Sequence, residues 1–149
     1  MITRILYRQR QVWNRLVVFI FLFIWQLPQN CAGLLFLLFL SIFKGVEHRE
    51  YYCRKFIIFG HLCPTGVSLG IFVFVKGSTR SGIICHELGH CVQSEKLGPL
   101  YLLVVGIPSA SMKYFSRFND RFRSGYYNRF PENWADRLGR RYELRQNIP

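Results

Sequence analysis

His86-Glu87-Leu88-Gly89-His90 is the stretch on which the reading of this chain turns. On a helix, residues i and i+4 lie one above the other on the same face. His86 and His90 can therefore offer two imidazoles to one Zn2+, and Glu87 stands beside the metal, where a carboxylate can take a proton from a bound water. The flanks support a helix. Gly77-Ser78-Thr79-Arg80-Ser81-Gly82 reads as a turn with Ser81 as N-cap. The helix then runs from about 82 to 97 and stops at Gly98-Pro99, a glycine followed by a proline that cannot continue it. Cys85, Leu88 and Val92 recur at i, i+3 and i+7, a packing stripe that predicts burial between other elements.

Two histidines leave a coordination shell unfinished, because a catalytic zinc usually has three protein ligands and an open position. The acids downstream of His90 are Glu95, Asp120, Glu132, Asp136 and Glu143. Glu95 lies five residues after His90, which turns it off the metal face, and Asp120 sits in a basic stretch. Glu132 opens a second helix announced by Pro131. Glu132, Ala135, Asp136 and Gly139 share one face of it, and Ala135 and Gly139 lack bulk, so this helix can approach the motif helix closely. Glu132 can then bind the metal, and Asp136, one turn on, can hydrogen-bond the free ring nitrogen of a ligand histidine. The competing reading is that Glu132 merely complements the helix dipole and Asp136 pairs with Arg140.

Upstream, Phe56-Ile57-Ile58-Phe59 and Leu69 to Val75 are short, β-branched and aromatic, and Gly60, Pro64 and Gly66 bound them. They predict a strand hairpin or a small sheet, whose exposed edge over 69–75 could take an extended peptide by strand addition. His61 and Cys63 in the turn are weak ligand candidates. Residues 44–55 read as a charged connector. Further up, Leu16 to Trp25 and Leu34 to Phe43 are two apolar runs separated by Gln26-Leu27-Pro28-Gln29-Asn30. They predict either one long helix kinked near Pro28 or a short hairpin in the membrane; a pair of buried core helices is the alternative without a membrane. No small-x-small cleavage site follows the first run, which argues against a signal peptide. Arg4, Arg8, Arg10 and Arg15 precede the first run and favour an N-terminus on the cytoplasmic side.

Composition agrees with a membrane partner. Half of the 149 residues are hydrophobic and 17% are aromatic, yet the formal charge is +12. A nucleic-acid binder of this charge would interleave its basic residues with polar surface, without long apolar runs, so no nucleic-acid partner is expected. The five cysteines, Cys31, Cys53, Cys63, Cys85 and Cys91, form no C-x-x-C pair and predict neither a zinc knuckle nor a disulfide framework. Cys85 and Cys91, which flank the motif, read as packing residues. Leu100 to Ile107 is an apolar run too short to span. Residues 113–130 are basic, aromatic and turn-rich, which suits a membrane surface.

H-E-x-x-H followed by E-x-x-A-D-x-x-G resembles the gluzincin metallopeptidases, especially the membrane-embedded CAAX-prenyl-endopeptidase and heat-shock-protease type and the small minigluzincins. The resemblance covers roughly residues 67–140, including Leu97-Gly98-Pro99-Leu100-Tyr101 and Gly106-Ile107-Pro108-Ser109, a stretch similar to small bacterial membrane proteins with the same motif. It implies that His86, His90 and Glu132 bind zinc, that Glu87 is the general base and that Asp136 supports a ligand histidine. It further implies a zinc metallopeptidase of the bacterial inner membrane acting on a peptide or a membrane protein. The expected fold is an α+β membrane protein: basic segment and apolar helices over 1–45, then a minimal zincin-like metal-binding domain over 46–149. An oxyanion donor is expected among Tyr126, Tyr127, Asn128, His48 and His61. The competing function is a zinc-binding membrane adaptor without hydrolytic activity.

Overall fold

The computed structural model describes residues 2–77, 81–119 and 125–146, with the side chains of 2–12, 81, 126 and 143–146 excepted. Ser78, Thr79 and Arg80 of the expected turn, and Asp120, Arg121 and Arg123 of the basic stretch, lie outside the described residues. The described chain is α+β, with five α-helices and a four-stranded sheet. In chain order these are α1 (Ile2–Trp25), α2 (Leu27–Ile42), β1 (His48–Tyr52), β2 (Lys55–Gly60), β3 (Gly66–Leu69), β4 (Phe72–Lys76), α3 (Ser81–Leu97), α4 (Ile107–Phe115) and α5 (Glu132–Gln146).

The sheet has strand order β1-β2-β4-β3, with β2 and β4 parallel and both outer pairs antiparallel. Two expectations change here. The charged connector contains β1, which turns into β2 through Cys53 and Arg54, both at positive φ (49° and 64°). A two-residue hairpin loop of this hand requires that conformation, but asparagine and glycine are the residues that announce it. The single strand expected over 69–75 is two: Gly70, at φ 64°, breaks it, and Leu69 pairs with Phe72 across the turn.

The sheet is the middle layer, and the alternation along β4 explains why. Phe72 and Phe74 join Leu40 of α2, Ile58 and Ile71 in one core. Val73 and Val75 join Ile57, Leu88 and Cys91 in another, beneath α3. Lys55 is buried in the latter region, where its ammonium meets Glu95 at 2.7 Å. Glu95 is thus occupied away from the motif face, as its position five residues after His90 requires.

No single helix among the described residues is long and apolar enough to cross a membrane; α1 from Trp13 and α2 pass such a test only together, and they are bent by 86°. The break falls at Gln26. Pro28, at the start of α2, cannot donate to the preceding turn, and polar side chains hold the corner against the end of α3. The Trp25 indole donates to Glu95 O (3.1 Å), Ser94 Oγ donates to Gln26 Oε1 (2.8 Å), and Gln29 Nε2 donates to Ser94 Oγ and to Gly98 O. Gly98, at φ 53°, ends α3 where the sequence placed the stop, and the Trp25 ring fills the space a Cβ would need. Asn30 Oδ1 accepts from the buried Ile71 N–H at 2.9 Å, tying the corner to the β3–β4 turn. Asn30→Ala leaves that amide unpaired and is expected to cost ~1–3 kcal/mol. A thermal melt measures it; an unchanged melting temperature refutes the clamp.

After α3 the expected apolar run forms a short 3-10 turn (Gly98–Leu100), a π-helical turn (Leu102–Gly106) and then α4, which extends to Phe115. Its last turn therefore replaces the start of the basic loop expected from 113 onward.

Candidate metal centre

α3 and α5 bring the site together. Their backbones touch: a Cβ on Gly89 would run into Ala135 O, and one on Gly139 into Cys85 O. The small residues anticipated on α5 are therefore needed, and so is the glycine inside the motif itself. This approach delivers Glu132, at the first position of α5, to the two histidines of α3. Gly139→Leu should push the helices apart, costing ~1–3 kcal/mol and weakening metal affinity. Calorimetric metal titration beside a thermal melt would register both effects, and wild-type values in both would refute the contact.

Glu132 is fully buried. Its Oε2 lies 3.0 Å from His86 Nε2 and 3.3 Å from His90 Nε2. Each ring is held from behind. His86 Nδ1 donates to Asp136 Oδ1 at 2.5 Å, and His90 Nδ1 donates to Gln93 Oε1 at 2.7 Å. The Gln93 amide is itself oriented by donating to Pro131 O at 2.9 Å. Both imidazoles therefore turn Nε2 inward with Nδ1 already engaged, the arrangement that ligand histidines adopt.

The donor set fits a metal ion. The three prospective ligand atoms lie within 4.8 Å of one another. Two atoms each bound to a tetrahedral zinc would stand ~3.3 Å apart, close to the separations measured from Glu132. Glu132 Oε1 is buried and accepts no hydrogen bond among the described residues, an acceptor that a cation would satisfy. His86, His90 and Glu132 could thus hold a metal ion.

Charge agrees with that geometry. Burial opposes the Glu132 charge, but hydrogen bonds from His86 and His90 overcome it and hold the carboxyl well below the usual range. Burial pulls the His86 imidazolium down, and Glu132 and Asp136 more than reverse this, raising it to about 9. Burial pushes the Cys91 thiol up to about 12, so it stays protonated inside the core and is no thiolate ligand.

Glu87 is buried beside the ligands. Its Oε2 accepts from Ser68 Oγ of β3 at 3.0 Å, and its carboxylate lies against Gly66, where any Cβ would collide with it. Glu87, the two histidines and Glu132 face a cavity of about 500 Å³. β3 forms one wall; the π-helical turn and α4, through Leu102, Ile107, Ala110 and Lys113, form the other.

Of the other expected site residues whose side chains are described, Tyr127 alone reaches the centre: its ring stands edge-on to His86, centroids 5.5 Å apart. Burial first, and then Glu132, Asp136 and Glu87, push its phenol up, so it keeps its proton. His48 pairs with Glu50 and His61 with Glu47 on exposed surface. Cys63 is in the core between sheet and α2. The Asn128 carbonyl accepts from Asn133, and the Tyr126 side chain lies outside the described residues. Sequence reasoning missed Gln93, although its position three residues after His90 on the same helix was a usable signal. It also missed Ser68 and Lys113, which only the fold brings here. No protein family, no curated protein and no solved structure matches this chain.

Proposed function

We propose that the chain is a membrane-bound zinc metallopeptidase. The observation that carries the reading is the placement of a buried carboxylate, Glu87, beside a three-residue ligand group on the wall of a cavity large enough for a peptide segment. Two imidazoles and one carboxylate form a ligand set typical of catalytic zinc. Zinc, when bound by His86, His90 and Glu132, supplies a water of lowered pKa and a Lewis acid for a carbonyl. Glu87 takes a proton from the nucleophilic water and returns it to the leaving amine. Ser68 holds one oxygen of that carboxylate, which keeps it aimed. Tyr127, protonated and beside His86, is a candidate donor for a developing oxyanion.

The strand addition expected at an edge over 69–75 needs revision, because β4 lies between β2 and β3 and offers no free edge, which leaves β3 as the outer strand. Gly66 O accepts from Lys113 Nζ and Ser68 O accepts from the Tyr101 hydroxyl, so carbonyls along β3 are already engaged. The favoured seat for the peptide is the cavity beside β3.

Membrane attachment is supported by apolar side chains left exposed along α1 and α2, among them Val17, Phe21, Ile24, Leu35 and Ile42, together with the charge of +12. The test of the whole reading is cleavage of a quenched peptide library by the full chain purified in detergent. Cleavage that a chelator stops and zinc restores is the expected result. Stoichiometric zinc without cleavage of any peptide would leave the adaptor reading in its place.

A further inference from the structure

The cavity wall facing the ligand group carries one side chain that the proposed mechanism does not use. Lys113 stands in the last turn of α4, where a lysine ordinarily complements the helix dipole. Its geometry is more specific than that. The side chain is half-buried, lines the cavity and donates from Nζ to Gly66 O at 3.2 Å. That acceptor is neutral, and Lys113 makes no ion pair with an acid among the described residues. The rest of its wall is mostly apolar, with Leu102, Ile107 and Ala110 as neighbours in the lining and Ser109 as a neutral hydroxyl. A cation in such surroundings is poorly screened, and an anion brought to it is worth more than at an open surface.

Its distance from the reacting centre is also set. Gly66 touches both groups: its carbonyl takes the Lys113 ammonium, and its Cα lies against the Glu87 carboxylate. The ammonium and the base thus meet different atoms of one backbone residue, near each other but beyond ion-pair distance. Glu87 is itself engaged by Ser68, which leaves the ammonium available to an incoming group.

We propose that Lys113 selects the substrate, receiving a peptide carboxylate carried close to the bond to be cut. This rests on the peptidase reading and names its substrate class: peptides with either a free C-terminus or an acidic side chain at that place. Lys113 is a specificity residue, since the proton transfers belong to Glu87.

The test measures binding apart from turnover. Zinc-loaded full-length Glu87→Gln protein in detergent is titrated with dye-labelled apolar tripeptides ending in carboxylate or amide. Amidated pentapeptides with a central Glu or Gln form the second arm. One anionic member should bind about 10- to 100-fold more tightly than its neutral twin. Preference in the first arm identifies a free C-terminus, and preference in the second an acidic side chain. Lys113→Met should erase the preference and Lys113→Arg should keep it. Equal binding within both pairs, while the wild-type chain cleaves peptides, overturns the Lys113 proposal and spares the peptidase. A preference that survives Lys113→Met overturns it too. Protein that neither binds nor cleaves any of these peptides refutes both.

Discussion

Glu87→Gln is expected to abolish peptide hydrolysis and to leave bound zinc in place. The amide is nearly isosteric with the carboxylate, so its contact with Gly66 and its approach to Ser68 are preserved. The ligand group is untouched, because His86, His90 and Glu132 bond to one another, to Asp136 and to Gln93 without Glu87. An amide cannot take the water proton, and the loss expected for a general base is ~10²–10⁴-fold in rate. The measurement is the rate of chelator-sensitive cleavage beside zinc content by elemental analysis. Retained cleavage would remove Glu87 from its assigned role; loss of zinc would mean that it is part of the metal shell.

Glu132→Ala is expected to abolish metal binding. The carboxylate is the meeting point of both imidazoles and the only acid in the ligand group. Its loss leaves two neutral nitrogens, too few for a tight zinc site. Zinc content after dialysis should fall from stoichiometric to background, as it should in His90→Ala. Wild-type zinc content in either variant refutes the assignment of ligands. The same site predicts a pH dependence. In protein stripped of metal, His86 titrates near 9, above its ordinary 6.5. Its stabilising pairing with Glu132 and Asp136 is therefore complete below pH 6.5 and lost as the pH rises through 9. A metal must displace that proton, so uptake near neutral pH releases about one proton from His86. The rise in melting temperature on adding zinc should accordingly grow from pH 6.5 to 9. A shift independent of pH would mean that His86 carries no proton to displace.

The candidate site was legible to the extent that helical spacing is. His86, Glu87 and His90 lie on one helix, and Glu132 and Asp136 on another, so period and small residues alone placed four of these on facing sides. Gln93 obeys the same rule and could have been read. Ser68 and Lys113 could not. Each reaches the centre from a separate element, β3 or α4, and no local period links those elements to α3.

The fold divides along similar lines. The helix stop at Gly98-Pro99 and the α5 start at Pro131-Glu132 follow from local backbone chemistry, and the sequence determined them by itself. β1 was hidden because its turn uses Cys53 and Arg54, residues that pay a conformational penalty at positive φ and are held there by pairing with β2. The apolar runs over 16–43 were visible, but their 86° corner was not. A proline marks where a helix can break. The angle is set by Gln26, Gln29 and Asn30 finding partners on α3 and at the β3–β4 turn, because buried amides must be satisfied wherever the chain can reach an acceptor. Sequence alone determined what each segment could be and which side chains could bind a metal. Only the tertiary structure decided which of them meet, since hydrogen bonds and backbone contacts between distant segments have no signature in the spacing of either one.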